Sequence, residues 1–178
     1  NNTMKKLITI FTLAVSTFTF SQNSTPLKSN DIVINPVALV LGAVNVEYER
    51  IISENSGIGV TTSFLLDDYI IDDNNGFSIT PYYNYYFGKK RANGFYIGGY
   101  CSINSGDVEK SYYVSSQYGG YTMYTTEKET NFGVGFKFGG KWVVKNDIVL
   151  EIGTGLGRNF GGENKVNTTG MLGIGKRF

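Results

Sequence analysis

Phe132-Gly-Val-Gly-Phe-Lys-Phe138 sets a large apolar residue at every second position and glycine or lysine between. Ile148-Val-Leu-Glu-Ile-Gly-Thr-Gly-Leu-Gly157 repeats the arrangement, with Ile148, Leu150, Ile152 and Leu156 on one parity and Val149, Glu151, Gly153, Gly155 and Gly157 on the other. A period of two belongs to a strand, because successive side chains point to opposite faces. A helix would need its apolar residues three and four apart. One face of each stretch is therefore apolar, and the other carries glycines and the charges of Lys137 and Glu151.

The same alternation runs backwards through the chain. Val44, Val46 and Tyr48 oppose Asn45, Glu47 and Glu49. Ile58, Val60, Thr62, Phe64 and Leu66 follow, then Phe77, Ile79, Pro81, Tyr83, Tyr85 and Phe87, then Phe95, Ile97, Cys101 and Ile103. Leu172, Ile174 and Phe178 close the series. Each run is about ten residues, the length of a tilted strand that crosses a bilayer. Ile32 to Leu41 supplies an eighth strand that turns at Gly42. Pro36 interrupts it, so part of this segment is expected to be a short helix. The pattern predicts an all-β fold over residues 31–178, an antiparallel up-and-down eight-stranded transmembrane β-barrel.

Connection lengths and aromatic placement point the same way. Lys145 to Asp147, Gly88 to Asn93 and Ser53 to Gly57 are short and are expected on the periplasmic side. Asp67 to Gly76, Ser105 to Glu129 and Phe160 to Val166 are longer and are expected outside, the asymmetry of outer-membrane barrels. Tyr48, Phe87, Phe95, Trp142 and Phe178 fall at periplasmic strand ends, and Phe64, Phe77, Phe132 and Phe160 at outer ends, as two girdles would. A soluble secreted or periplasmic β-domain is the competing architecture. There the apolar face would turn inward and the glutamates would meet water.

Residues 1–21 read as a cleavable signal peptide. Met4, the expected start, opens a positive region with Lys5 and Lys6, an apolar stretch runs from Leu7 to Val15, and Thr19-Phe20-Ser21 offers a cleavage site before Gln22. The apolar stretch is too short to span a bilayer. Residues 22–30 form a polar lead-in.

The last segment, Gly170-Met-Leu-Gly-Ile-Gly-Lys-Arg-Phe178, resembles the final strand of outer-membrane barrels, with its glycine, alternating apolar residues and terminal aromatic. Lys176 departs from the pattern, which usually has an apolar residue there. Ala43-Val-Asn-Val-Glu-Tyr-Glu-Arg50 resembles the early strand of small uncharacterised outer-membrane barrel families. Over Asp31 to Phe178 the layout is similar to the OmpA transmembrane domain and OmpX, without the peptidoglycan-binding domain of full-length OmpA. The resemblance implies a Gram-negative outer-membrane location, contact with outer-membrane lipid, and Phe178 as part of the signal read by the barrel-insertion machinery.

Composition narrows function by exclusion. No histidine is present, which removes Ser-His and Cys-His catalysis and histidine metal ligation together. Cys101 is the single cysteine, so no disulfide or thiolate zinc site can form within the chain. Without Lys5 and Lys6, 14 basic residues face 15 acidic ones, against a nucleic-acid partner. No catalytic residue, cofactor or metal site is expected.

An eight-stranded barrel is filled by side chains. Parity places Glu47, Glu49, Lys137, Lys141 and Glu151 inside as a paired polar plug, with Tyr82, Tyr86, Tyr96 and Tyr100 filling space left by inward glycines on the last strands. A narrow ion path or small-ligand pocket is the alternative, and would make the protein a porin-like channel or transporter. The run Val108 to Glu129 reads as a hairpin around Gly119-Gly120 that prolongs two strands beyond the bilayer. Its Tyr112, Tyr113, Tyr118, Tyr121 and Tyr124 form the expected surface-interaction loop, for an extracellular protein or lipopolysaccharide. Arg158 is placed to meet lipid headgroups or lipopolysaccharide phosphate. Asp67, Asp68, Asp72, Asp73, Asn74 and Asn75 could offer oxygens to calcium but lack a closing glutamate, and an ordinary solvated loop is favoured. Gly153-Thr-Gly-Leu-Gly157 lacks the spacing and following helix of a phosphate-binding loop.

Overall fold

The computed structural model describes residues 27–66, 76–116, 119–161 and 165–178. The segment read as a signal peptide, most of the expected polar lead-in and the oxygen-rich stretch 67–75 lie outside the described residues, as does Tyr118.

Eight antiparallel strands close into a barrel in chain order, each bonded to its sequence neighbour and the last to the first. They are β1 (Asn30–Ile34), β2 (Ala43–Ile51), β3 (Ser56–Leu65), β4 (Phe77–Tyr86), β5 (Gly94–Ser116), β6 (Gly119–Val143), β7 (Ile148–Phe160) and β8 (Val166–Arg177). Short turns over residues 52–55, 87–93 and 144–147 gather at one end, the turn end. The other, the loop end, carries the remaining connections. In the turn between β6 and β7, Asn146 and Asp147 take left-handed backbone angles, which Asn and Asp tolerate better than most residues.

The first strand is short, and the expected short helix begins at Pro36. It begins at Asn30 and ends at Ile34, and one helical turn, α1 (Pro36–Val40), replaces its second half. Proline at the first helical position and Asn35 as the cap explain the switch. The Asn35 side chain accepts from the amides of Val37 and Ala38 at 3.1 and 3.0 Å. As a result β1 meets β8 over only Asp31↔Arg177 to Ile34↔Ile174. In the long hairpin both glycines belong to a strand: Ser116 pairs with Gly119 and Ser115 with Gly120, and Gly119 has φ 128°.

Cross-strand partners fix the tilt. From Asn30 the register runs through Arg50, Ile58, Tyr83, Gly99, Phe136, Leu156 and Thr168. The β8–β1 register, Asp31↔Arg177, carries Thr168 to the level of residue 40. The difference from residue 30 is a stagger of about ten residues, compatible with a strand tilt of about 40°.

The exterior is apolar. Phe136 is 72% exposed, Phe95 69% and Leu156 61%, whereas Glu49 and Lys141 are fully enclosed. On β6 the outward residues from Phe132 to Trp142 span ten steps. At about 3.3 Å each and that tilt they give a band about 25 Å tall. Outward rings bracket it as cross-strand neighbours. Phe64 meets Phe77 at 4.9 Å and Phe132 meets Phe160 at 6.3 Å toward the loop end; Phe95 meets Trp142 at 5.8 Å toward the turn end.

Candidate functional site

The lumen is filled by an ion network that alternation supplies from several strands. β2 projects Glu47 and Glu49, β6 Lys137 and Lys141, and β7 Glu151, all buried. Lys141 is the hub. Its Nζ lies 2.6 Å from Glu49 Oε2, 2.9 Å from Glu151 Oε2, 3.2 Å from Glu47 Oε1 and 3.9 Å from Asp31 Oδ2. Lys137 approaches Glu47 at 3.3 Å and sits 3.7 Å above the Tyr82 ring, a geometry that adds cation–π attraction.

Tyrosine hydroxyls complete the carboxylate shells. Tyr86 donates to Glu49 Oε1 and Oε2 at 2.7 and 2.8 Å, Tyr82 to Glu49 at 3.1 Å, and Tyr96 to Glu151 at 2.8 Å. Thr61 donates to Glu47 at 3.1 Å. Buried charge is tolerated when it is paired and hydrogen-bonded, and this network meets both conditions. Glycines on the facing wall make room for the rings. A Cβ on Gly135 would lie 2.6 Å from Tyr100 Cζ, and one on Gly153 would lie 2.2 Å from the Tyr96 hydroxyl. Beside Glu47, Tyr96 and Lys137 the remaining void is about 10 Å³, about the space one water needs.

The loop-end mouth is different. Above the network lies an open cavity of about 560 Å³ with a polar floor. Tyr100 donates to Asn167 Oδ1 at 2.8 Å, and Asn167 Nδ2 donates to Asn159 Oδ1 at 2.7 Å and Ser102 at 3.0 Å.

β5 and β6 continue past the mouth as a two-stranded ribbon. Its tyrosines do not form one patch. Tyr112 pairs with Met123 and Tyr121 with Val114 on the face that continues the lumen side; Tyr113 and Tyr124 occupy the opposite face, opposite Thr122 and Ser111. Lys110 bridges to Glu127 at 2.8 Å, and Tyr112 donates to the same carboxylate at 3.3 Å. The Lys110 hydrogen bond and charge hold the Glu127 carboxyl below its usual range. In the turn before β7, Lys28 acts likewise on Asp147.

The family model described as Protein of unknown function (DUF3575) matches residues 7–170. The chain belongs to this family. No curated protein matches the chain. Among solved structures, this DUF3575 chain is similar to Ail, the attachment invasion locus protein of Yersinia pestis, in a crystal structure at 14% identity and TM-score 0.48. That match covers 85% of this chain and 100% of the other. The backbone structure of Ail in a phospholipid bilayer nanodisc gives 16% identity, TM-score 0.47 and coverage of 85% and 99%. The N-terminal β-barrel domain of Pseudomonas aeruginosa OprF gives 12% identity, TM-score 0.46 and coverage of 85% and 98%.

Two lumen residues of this DUF3575 member were not singled out by sequence. Arg177 donates to both carboxylate oxygens of Asp31 at 2.7 and 2.8 Å, and to the carbonyls of Arg91 and Ala92 at 2.8 and 3.0 Å. Alternation held the signal, since Phe178 and Ile32 face outward and their neighbours must face in. Phe178 is half exposed, and its carbonyl accepts from the amides of Ser29 and Asn30. Arg158 points outward between Val134 and Val166. Cys101 is also on the exterior.

Proposed function

We propose that this chain is a non-enzymatic outer-membrane β-barrel, exported on a cleavable signal peptide over residues 1–21, that presents loops from a side-chain-filled barrel. The observation that carries the reading is the inverted polarity of the wall, with an exposed apolar band about 25 Å tall around a lumen of enclosed, paired charges. In water so large an apolar exterior would drive association; in a bilayer it is the surface that lipid covers. The longer connections then face outward, and Arg158, at the upper girdle, meets lipopolysaccharide phosphate. Phe178, on the lipid side of the closing strand, serves the insertion machinery. The ribbon beyond the mouth is the contact surface for an extracellular partner.

Cell fractionation with heat-dependent gel mobility tests the location. The protein should sediment with outer membranes and migrate faster unboiled than boiled; recovery in the soluble fraction would defeat the reading. Replacing residues 108–127 by a short turn should leave this mobility shift intact and abolish surface-partner capture.

A small channel is the second reading, favoured by the open mouth cavity. The Lys141 network below it opposes conduction, because an ion would have to displace partners held at 2.6–3.2 Å. Planar bilayers should therefore stay silent. Reproducible conductance steps would favour the channel.

A further inference from the structure

The mouth cavity has a composition that neither envelope support nor ribbon contacts require. We infer that it is a binding cup for a neutral saccharide. Its volume of about 560 Å³ lies within the range of small-molecule sites. Asn104, Asn131, Asn159 and Asn167 come from four successive strands, β5 to β8, joined by Ser63 and Ser78. An amide both donates and accepts, so an array of amides and hydroxyls matches the hydroxyls of a sugar, each of which does the same.

The array is oriented from below. Ser78 donates to Asn104 at 2.7 Å, and Asn104 Nδ2 donates to Ser102 at 3.2 Å. Asn131 donates to Glu129 at 2.8 Å, while its buried Oδ1 has no hydrogen-bond partner among the described residues.

The charge of the lining bears on the other ligand classes. No Lys or Arg lines the cavity among the described residues, which disfavours an anion. Two acids also line it, Asp107, opposite Lys128 in the β5–β6 register, and Glu129, which accepts from Asn131, so a divalent cation is the competing ligand. Below Ser105 and Phe132 the wall strands are paired in ladders, and only the ribbon above them, where β5 and β6 pair with each other alone, has outer edges open to a peptide main chain.

Glucose, galactose, N-acetylglucosamine and maltose should be titrated separately into the full protein in detergent, followed by calorimetry and ligand-observed NMR. The measurement is independent of which side of a membrane the mouth faces. At least one sugar should bind saturably. Asn104→Leu and Asn131→Leu should each raise its Kd at least tenfold while keeping the heat-dependent mobility shift, and Tyr113→Ala, on the far face of the ribbon, should leave it unchanged. Two substitutions are used so that one folded variant suffices. Absence of saturable binding by all four sugars would overturn the inference, as would an affinity unmoved by either asparagine variant. Saturable binding of trialanine or calcium chloride in place of the sugars would overturn it too.

Discussion

Replacing Lys141 by Met tests whether the lumen is held by mutual charge pairing. Methionine keeps most of the lysine's length and removes its charge. Among the buried residues the carboxylates are Asp31, Glu47, Glu49 and Glu151, and the cations are Lys137, Lys141 and Arg177. The substitution leaves four acids facing two bases. Glu151 loses the cation 2.9 Å away and keeps Tyr96. Glu49 loses its contact at 2.6 Å and keeps Tyr82 and Tyr86. Breaking a buried pair from one side costs about 3–5 kcal/mol. With a urea slope of about 2 kcal/mol/M the midpoint should fall by roughly 1.5–2.5 M. Urea titration in lipid vesicles, read by Trp142 fluorescence and gel mobility, measures it. Adding Glu151→Gln to Lys141→Met should recover part of the loss, because it removes one uncompensated acid while sparing the Tyr96 contact. A Lys141→Met midpoint within about 0.3 M of the parent would refute the reasoning, since a lumen that admits solvent freely would not register the missing charge.

Three further outcomes follow from the same geometry. Gly135→Ala should destabilise the barrel by about 1–3 kcal/mol, because its Cβ would strike the Leu156 carbonyl and Gly157 Cα as well as Tyr100; outward Gly99→Ala, with nothing closer than 4.0 Å, should be near neutral in the same urea assay. Arg177→Met should cost about 3 kcal/mol or more and speed amide exchange in β1 before the other strands, since Arg177 joins β8 to Asp31 and to the turn after β4. Lowering the pH should loosen the ribbon. The folded Glu127 carboxyl is held below its usual value, so its contribution is present at neutral pH and is lost as pH falls through that depressed value. Faster amide exchange at Lys110 and Tyr112 at pH 3 than at pH 7, after correction for intrinsic rates, is the expected signature, and Glu127→Gln should erase the difference.

Alternation made the wall legible, because a strand's period leaves only the choice of which face is inside. Glu47, Glu49, Lys137, Lys141 and Glu151 all lie on the face that parity assigned to the lumen. Their partners were not readable, since Lys141 on β6 reaches Glu49 on β2 across the barrel, and that distance depends on the stagger of every intervening strand. The short helix after β1 was legible from Pro36, whereas the cap that Asn35 supplies was not. Two adjacent glycines suggested a turn without fixing its register, and they pair within the strands instead; the tyrosines divide between two faces because Tyr112 and Tyr113 are adjacent and Tyr121 and Tyr124 are three apart. The mouth cavity was invisible as well. Its asparagines are scattered over four strands and share no motif.

The brevity of β1 bears on how the chain assembles. Seven of the eight seams join sequence neighbours, but the eighth joins residues 146 apart through four residue pairs. Closing a loop of that length costs roughly 4 kcal/mol of chain entropy, which so short a ladder must offset, and the Arg177–Asp31 pair is its strongest reinforcement. An open, curved sheet from β2 to β8 is therefore expected to form first, with closure at the β1–β8 clasp as the slow, final event. The same clasp should be where a folded barrel first parts under load.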